Sequence, residues 1–163
     1  MTARLRNQQG FALIEMLVAI VLINIGVLAI LLALNSGMVT LRRSAETSTA
    51  SAIADQQLER FRARAFSAIY LDSTLLAATD STYRADSAYS ATQVTGTCSP
   101  LVAACTPSQS VTGPDGRTYR VDTFVVSVVP AGGAAVKQIT IVVRKPGNPA
   151  TLARVVSTAG LDF

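Results

Sequence analysis

The sequence contains no histidine and no tryptophan, and only 15% of its 163 residues are charged. Histidine is the commonest general base and metal ligand, so its absence excludes a Ser-His-Asp triad and a histidine-coordinated metal site in this chain. The two cysteines, Cys98 and Cys105, are too few for a structural zinc site without histidine. We therefore expect no enzymatic activity, no metal and no other cofactor.

The charge balance gives little indication of a charged partner. Fourteen basic and ten acidic side chains leave a formal net charge of +4. This excess is too small to predict nucleic-acid binding, which the sequence allows but does not indicate. Half of the residues are hydrophobic, and this apolar character is concentrated near the N-terminus.

The N-terminal segment combines a short basic stretch with a long apolar run. Residues 1–10 are polar and include Arg4 and Arg6, whereas Phe11 to Leu34 is almost wholly apolar. A helix needs about 20 apolar residues to cross a bilayer, and no small-residue signal cleavage site follows the run. We therefore expect a retained membrane anchor. The two arginines favour a cytoplasmic N-terminus, which places the C-terminal part outside the cytoplasm.

Glu15 interrupts the start of the apolar run. A carboxylate in a membrane helix costs roughly 2.5–3.5 kcal/mol at a central site on insertion scales, and less near the interface. Its position alone leaves two interpretations open. The side chain either reaches the lipid headgroups, or it serves a function and pairs with a cation.

The sequence from Gly10 to Ala19, Gly-Phe-Ala-Leu-Ile-Glu-Met-Leu-Val-Ala, resembles the cleavage and methylation site of type IV prepilins. This resemblance implies that a prepilin peptidase cuts after Gly10 and methylates Phe11, the new N-terminal residue. It also implies that Glu15 neutralises the N-terminal amine of a neighbouring subunit during assembly. A buried carboxylate is tolerated when it is paired with a buried ammonium.

Within that family, residues 14–28 are similar to minor pilins of the pilus-modification type and to I-type pseudopilins of type II secretion. Many major pilins carry a proline in this helix, whereas the first proline here is Pro100, which favours a minor subunit. The implied partners are other pilin or pseudopilin subunits, prepilin peptidase, an inner-membrane assembly platform and membrane lipid. The implied location is the bacterial inner membrane with a single span, and then a cell-surface or periplasmic filament.

Helical periodicity continues beyond the apolar run. We predict one long helix from about Phe11 to Tyr70, with a transmembrane and assembly part at 11–34 and an amphipathic part at 35–70. The apolar stripe of the amphipathic part consists of Ala54, Leu58, Phe61, Ala65 and Ile69. The arginines nearby lie mostly off this stripe, which predicts a solvated face rather than a ligand site.

The remaining sequence predicts a connecting region and a sheet. Residues 71–110 are rich in Ser, Thr and Ala and read as a long connection, variable in the pilin family, in which we expect a disulfide between Cys98 and Cys105. Residues 111–163 alternate β-rich stretches with Gly/Pro turns, which predicts an antiparallel meander. Two acids in this part, Asp115 and Asp122, are too few for a calcium site, and we predict turn and surface positions for them.

The sequence therefore predicts a pilin-like α+β fold, with the long helix packed on a small antiparallel sheet. Three functions remain. The first is a filament subunit with residues 1–10 as a leader. The second is an anchored enzyme, which the lack of a nucleophile–base pair disfavours. The third is an anchored binding module that uses the loop between Cys98 and Cys105 for adhesion or DNA capture.

Overall fold

The computed structural model describes residues 9–160, with side chains from Leu13 onward. It divides into two compact units with a boundary between Ser44 and Ala45. We call residues 9–44 the apolar segment and residues 45–160 the head. Helix α1 (Gln9–Arg62) contributes to both units. Its sequence lacks proline and is rich in Ala, Leu and Ile, which permits a helix of this length.

Helix α1 ends at Arg62, eight residues before the predicted end at Tyr70. The chain continues as a 3₁₀ turn, Phe66–Ala68. The ammonium of Lys137 donates to the carbonyl oxygens of Phe66 at 2.6 Å and of Ile69 at 2.8 Å. These bonds hold the loop that occupies the positions where the sequence predicts the last turns of the helix.

The head contains a four-stranded antiparallel sheet with the order β3-β4-β5-β6. Its strands are β3 (Ser108–Thr112), β4 (Thr118–Val128), β5 (Val136–Arg144) and β6 (Thr151–Ala159). Two short strands, β1 (Leu71–Asp72) and β2 (Thr95–Gly96), form a separate parallel pair. Both the predicted α+β class and the antiparallel meander are confirmed.

Tight turns set the register of the meander. Gly116 lies between β3 and β4 with φ +71°, and Gly147 lies between β5 and β6 with φ +72°. Only glycine adopts such angles without strain, which explains why the Gly/Pro signals in the sequence located these turns. The longer β4–β5 turn, residues 129–135, contains Gly132 with φ +74° and is exposed except at its last residue.

One face of the sheet packs against the head part of α1. The shared core is fully or almost fully buried and includes the helix residues Ala50, Ile53, Ala54, Leu58 and Phe61 and the strand residues Val121, Val125, Ile139, Ile141 and Val143. Three members of the predicted stripe, Ala54, Leu58 and Phe61, are therefore confirmed. Ala65 is exposed, and Ile69 enters the core from the loop after the helix.

The opposite face of the sheet, which we call the back face, is covered by residues 73–90, which we call the cover segment. It contains two short helices, α2 (Ser73–Ala77) and α3 (Ser81–Arg84). The Tyr83 ring is fully buried and stacks on Phe124, with 4.4 Å between ring centroids, and Val142 completes this second core. The connection that the sequence predicts to be irregular is thus a third layer of the head.

Candidate functional site

The apolar segment exposes all of its described side chains. Every residue from Leu13 to Ser44 is exposed, and the large aliphatic residues among them are 50–72% accessible. A surface of this extent marks a membrane or protein contact, because a soluble monomer rarely exposes so much apolar area. Among the described residues, this is the one helix long and apolar enough to cross a membrane, by length and composition.

Gly10 and Phe11 lie near the start of α1, and the side chain of Phe11 is outside the described part. Glu15 is exposed and makes no hydrogen bond or ion pair with any described residue. Asn24, by contrast, donates from its side-chain amide to the carbonyl of Ile20 at 2.8 Å, within the same helix. Glu15 is therefore a polar group of the apolar run that no described residue satisfies.

Residues 5–31 match the family model of the prokaryotic N-terminal methylation motif. The matched range includes Gly10, Phe11 and Glu15. No curated protein and no solved structure matched the chain. The motif supports a type IV pilin-like or pseudopilin-like precursor, a structural subunit rather than an enzyme. With the apolar helix, it fits membrane anchoring and interaction with other such subunits and with prepilin peptidase.

Cys98 and Cys105 form a disulfide, with 6.5 Å between their Cα atoms. The backbone N–H of Cys98 donates to the Asp72 carboxylate at 3.1 Å. This bond and those from the backbone of Leu75 and Thr74 lower the pKa of Asp72 from its ordinary value. The loop is therefore attached to the head at its base, while Leu101 is 55% exposed at its tip.

A buried ionic network crosses the back face of the sheet, and the sequence-based prediction for Asp122 is wrong. Asp122 is fully buried rather than on the surface. Its carboxylate accepts from the guanidinium groups of Arg144 and Arg120, the latter at 2.8 Å, and from the Ser108 hydroxyl at 2.6 Å. The cover segment removes this face from water, so an acid there needs charged partners. The informative signal in the sequence is an aspartate between Val121 and Thr123 within a β-rich run.

The network extends to two aspartates of the cover segment. Asp86 contacts Arg144 and accepts from Arg154 at 2.9 Å with both carboxylate oxygens. Asp80 accepts two bonds from Arg120, at 2.5 and 2.7 Å. The pKa of Asp80 is held well below its ordinary value, chiefly by this Arg120 pair. The network thus fastens the cover segment to the sheet with paired charges.

Glu46 joins α1 to two turns of the sheet. Its carboxylate contacts Arg117, next to the β3–β4 turn. It also contacts the ammonium of Lys145, in the β5–β6 turn, at 2.5 Å. The hydrogen bond from Lys145 is the largest cause that lowers the pKa of Glu46. Within the part of the chain that the structure describes, no group of three or more His, Cys, Asp or Glu side chains could hold a metal ion.

Proposed function

We propose that this chain is a minor type IV pilin-like subunit that is processed by prepilin peptidase and assembled into a pilus or into the complex that primes one. The observation that carries this proposal is the methylation motif at residues 5–31, with Gly10 and Phe11 at the cleavage position and Glu15 five residues after Gly10. The confirmed combination of a long apolar helix and a small sheet domain supports it.

Processing hydrolyses the Gly10–Phe11 peptide bond with one water molecule. The leader leaves with a carboxylate at Gly10, and Phe11 gains a free amine. This amine then takes a methyl group from an activated methyl donor and releases a proton. The remaining helix begins with a cation at Phe11, and this amine pairs with the Glu15 carboxylate of a neighbouring subunit during assembly.

Assembly follows from the two properties of the apolar segment. Its aliphatic side chains lose little when they exchange lipid for the equally apolar helices of other subunits, where close packing and polar pairs provide the driving force. The unsatisfied Glu15 carboxylate gains a partner in the Phe11 amine of the next subunit. Since an unpaired charge in an apolar bundle is costly, this pair selects one axial register.

The assignment to a minor subunit depends on α1, which runs from Gln9 to Arg62 without a proline. A pseudopilin of a type II secretion system remains the alternative, because residues 14–28 are similar to both groups. Adhesion, motility and DNA uptake are the pilus activities in which such a subunit would take part.

The test starts with the intact mass and N-terminal residue of the chain recovered from membranes with and without active prepilin peptidase. We expect loss of residues 1–10 and a methylated Phe11 only when the peptidase is active. The second stage compares Glu15→Gln with Glu59→Gln, an exposed glutamate of the same helix in the head. Both variants should be cleaved, but only Glu15→Gln should reduce incorporation into sheared filaments, by at least about tenfold.

A chain that still begins at Met1 in the presence of active peptidase would overturn the proposal as a whole. Normal cleavage with equal filament incorporation of Glu15→Gln and wild type would overturn the role of Glu15 alone. Loss of protein secretion, with pili unchanged, on deletion of the chain would replace the minor pilin with the pseudopilin.

A further inference from the structure

A polar groove runs over the back face of the head, between the sheet and the cover segment. It consists of two hollows, of about 410 and 350 Å³, that share Ser87 and Arg154 as walls. Each hollow has the volume of a small-ligand site. The groove belongs entirely to the head and is separate from the methylation motif.

Polar side chains without internal partners line the groove. Thr140 is only 7% exposed and lies in the wall, and its hydroxyl makes no hydrogen bond with any described residue. The amide of Gln138, two residues earlier on the same strand face, likewise has no partner among the described residues. Gln138 is half-buried, and both polar groups face the groove, so they are available to hydrogen-bond a partner from outside the chain.

The remaining groups of the groove are held in place. Arg154 is fixed by its two 2.9 Å bonds to Asp86, which in turn accepts from the backbone N–H of Ala88 at 2.8 Å. Tyr89 is 36% exposed, and its ring meets the buried Tyr83 ring at 75° with 6.0 Å between centroids. A rigid aromatic surface thus lies beside oriented donors and acceptors, an arrangement that lowers the entropy cost of binding.

We propose that this groove binds a neutral oligosaccharide. Such a chain presents hydroxyl groups that both donate and accept, which suits the hydroxyl of Thr140, the amide of Gln138 and the guanidinium of Arg154. The C–H face of a sugar ring suits the apolar ring of Tyr89.

The charges of the groove distinguish this ligand class from a polyanion. The guanidinium of Arg154 is paired with Asp86, and that of Arg144 with Asp86 and Asp122. Nucleic-acid binding relies on cations that are free to replace phosphate counterions, and these two are already neutralised. In the smaller hollow, polar side chains predominate, and the aliphatic part of the wall consists chiefly of Val126 and Val156.

The test uses the full chain in nanodiscs, with isotope-labelled Thr and Val methyl groups observed by NMR. Cellotriose, maltotriose and triacetylchitotriose are titrated separately. For at least one sugar, we expect saturable shifts of the Thr140 and Val156 methyl groups, while Val111, on strand β3 outside the groove, stays unchanged. Prepilin processing plays no part in this readout. A failure of the sugar-binding proposal can therefore be distinguished from a failure of the proposed function.

Two variants and two matched controls make the test specific. Arg154→Gln and Gln138→Ala should each weaken binding about tenfold, because each removes hydrogen bonds to the ligand. Arg62→Gln and Gln56→Ala make the same changes on exposed positions of α1 and should bind like wild type. Gln138→Ala leaves the ionic network intact, so it remains informative if Arg154→Gln alters folding.

The proposal is overturned if no sugar gives saturable shifts up to about 10 mM, the weak end of specific binding. It is equally overturned if both groove variants bind as tightly as the two controls. Saturable shifts with a single-stranded DNA oligonucleotide but with none of the sugars would assign the groove to a polyanion instead.

Discussion

The apolar segment and the head differ in the exposure of their aliphatic side chains and in the pairing of their acidic groups. In the apolar segment, aliphatic side chains are at least half exposed and Glu15 has no partner among the described residues. In the head, aliphatic side chains form two buried cores, and the buried acids Asp122 and Asp86 each contact two arginines. Among the described residues, the head pairs its buried charges internally, whereas the side chains of the apolar segment are open to contacts from outside the chain.

The two regions also differ in how far apart in sequence their interacting residues lie. The motif of the apolar segment consists of residues that are close together in sequence, so it can be recognised without knowing the fold. The chemistry of the head depends on residues that are far apart in sequence, such as Asp86 and Arg154. Mutations should therefore affect folding in one region and assembly in the other.

Asp122→Ala is one of the two changes from which the largest effect on folding is expected. This change leaves the Arg144 and Arg120 guanidinium groups under the cover segment with half of their partners removed. Breaking a buried ion pair costs about 3–5 kcal/mol of unfolding free energy. Equilibrium denaturation of the full chain in detergent, followed by near-UV circular dichroism of the tyrosines, measures it. Asp55→Ala, at an exposed position of α1, should remain within about 0.5 kcal/mol of wild type.

A pair of truncations tests the comparison directly. Phe61→Ala opens a cavity in a fully buried site of the head and should cost about 3–5 kcal/mol in the same denaturation. Leu22→Ala removes an aliphatic side chain that is 63% exposed in the apolar segment, and the unfolding of the head should not change. Equal destabilisation by the two variants would show that the regions do not differ as described.

The smallest effect is expected from Glu46→Gln, and it should depend on pH. Because Lys145 and Arg117 lower the pKa of Glu46, its stabilising contribution is fully present above the unfolded carboxyl value of about 4.3. The contribution disappears as the pH falls through the lower value of the folded state. Thermal melts should therefore place Glu46→Gln below wild type at pH 7, with a difference that shrinks below about pH 4. A difference that is constant with pH would contradict the ionic role.

Most of the fold could be predicted from sequence, because it depends on local periodicity and turn chemistry. The predicted meander is an example: in strand β5, Val136–Arg144, alternating β-branched residues lie between two turn sequences. The end of α1 could not be predicted. Ala65 and Ile69 continue the helical spacing, but the helix ends at Arg62, and the loop after it is held by Lys137, 71 residues after Phe66.

The methylation motif could be recognised because its residues are consecutive, and the roles of Gly10, Phe11 and Glu15 in processing and assembly stay predictions. The back-face network and groove could not be predicted, because their residues are far apart in sequence. They depend on the cover segment, whose anchoring contact is a 2.6 Å hydrogen bond from the Tyr83 hydroxyl to the carbonyl of Thr123, 40 residues later. No local sequence pattern indicates such a contact, and the prediction of a surface position for Asp122 was therefore wrong.

The exposed β4–β5 turn has a practical consequence for following the subunit in living cells. Residues 129–134 contribute no side chain to either core, and glycine at position 132 already allows a sharp reversal of the backbone. Exposed turns of this kind accept inserted peptides with little loss of folding. A short epitope or a cysteine for dye labelling placed here would report the position of the head, because the turn is remote in sequence from the methylation motif at residues 5–31.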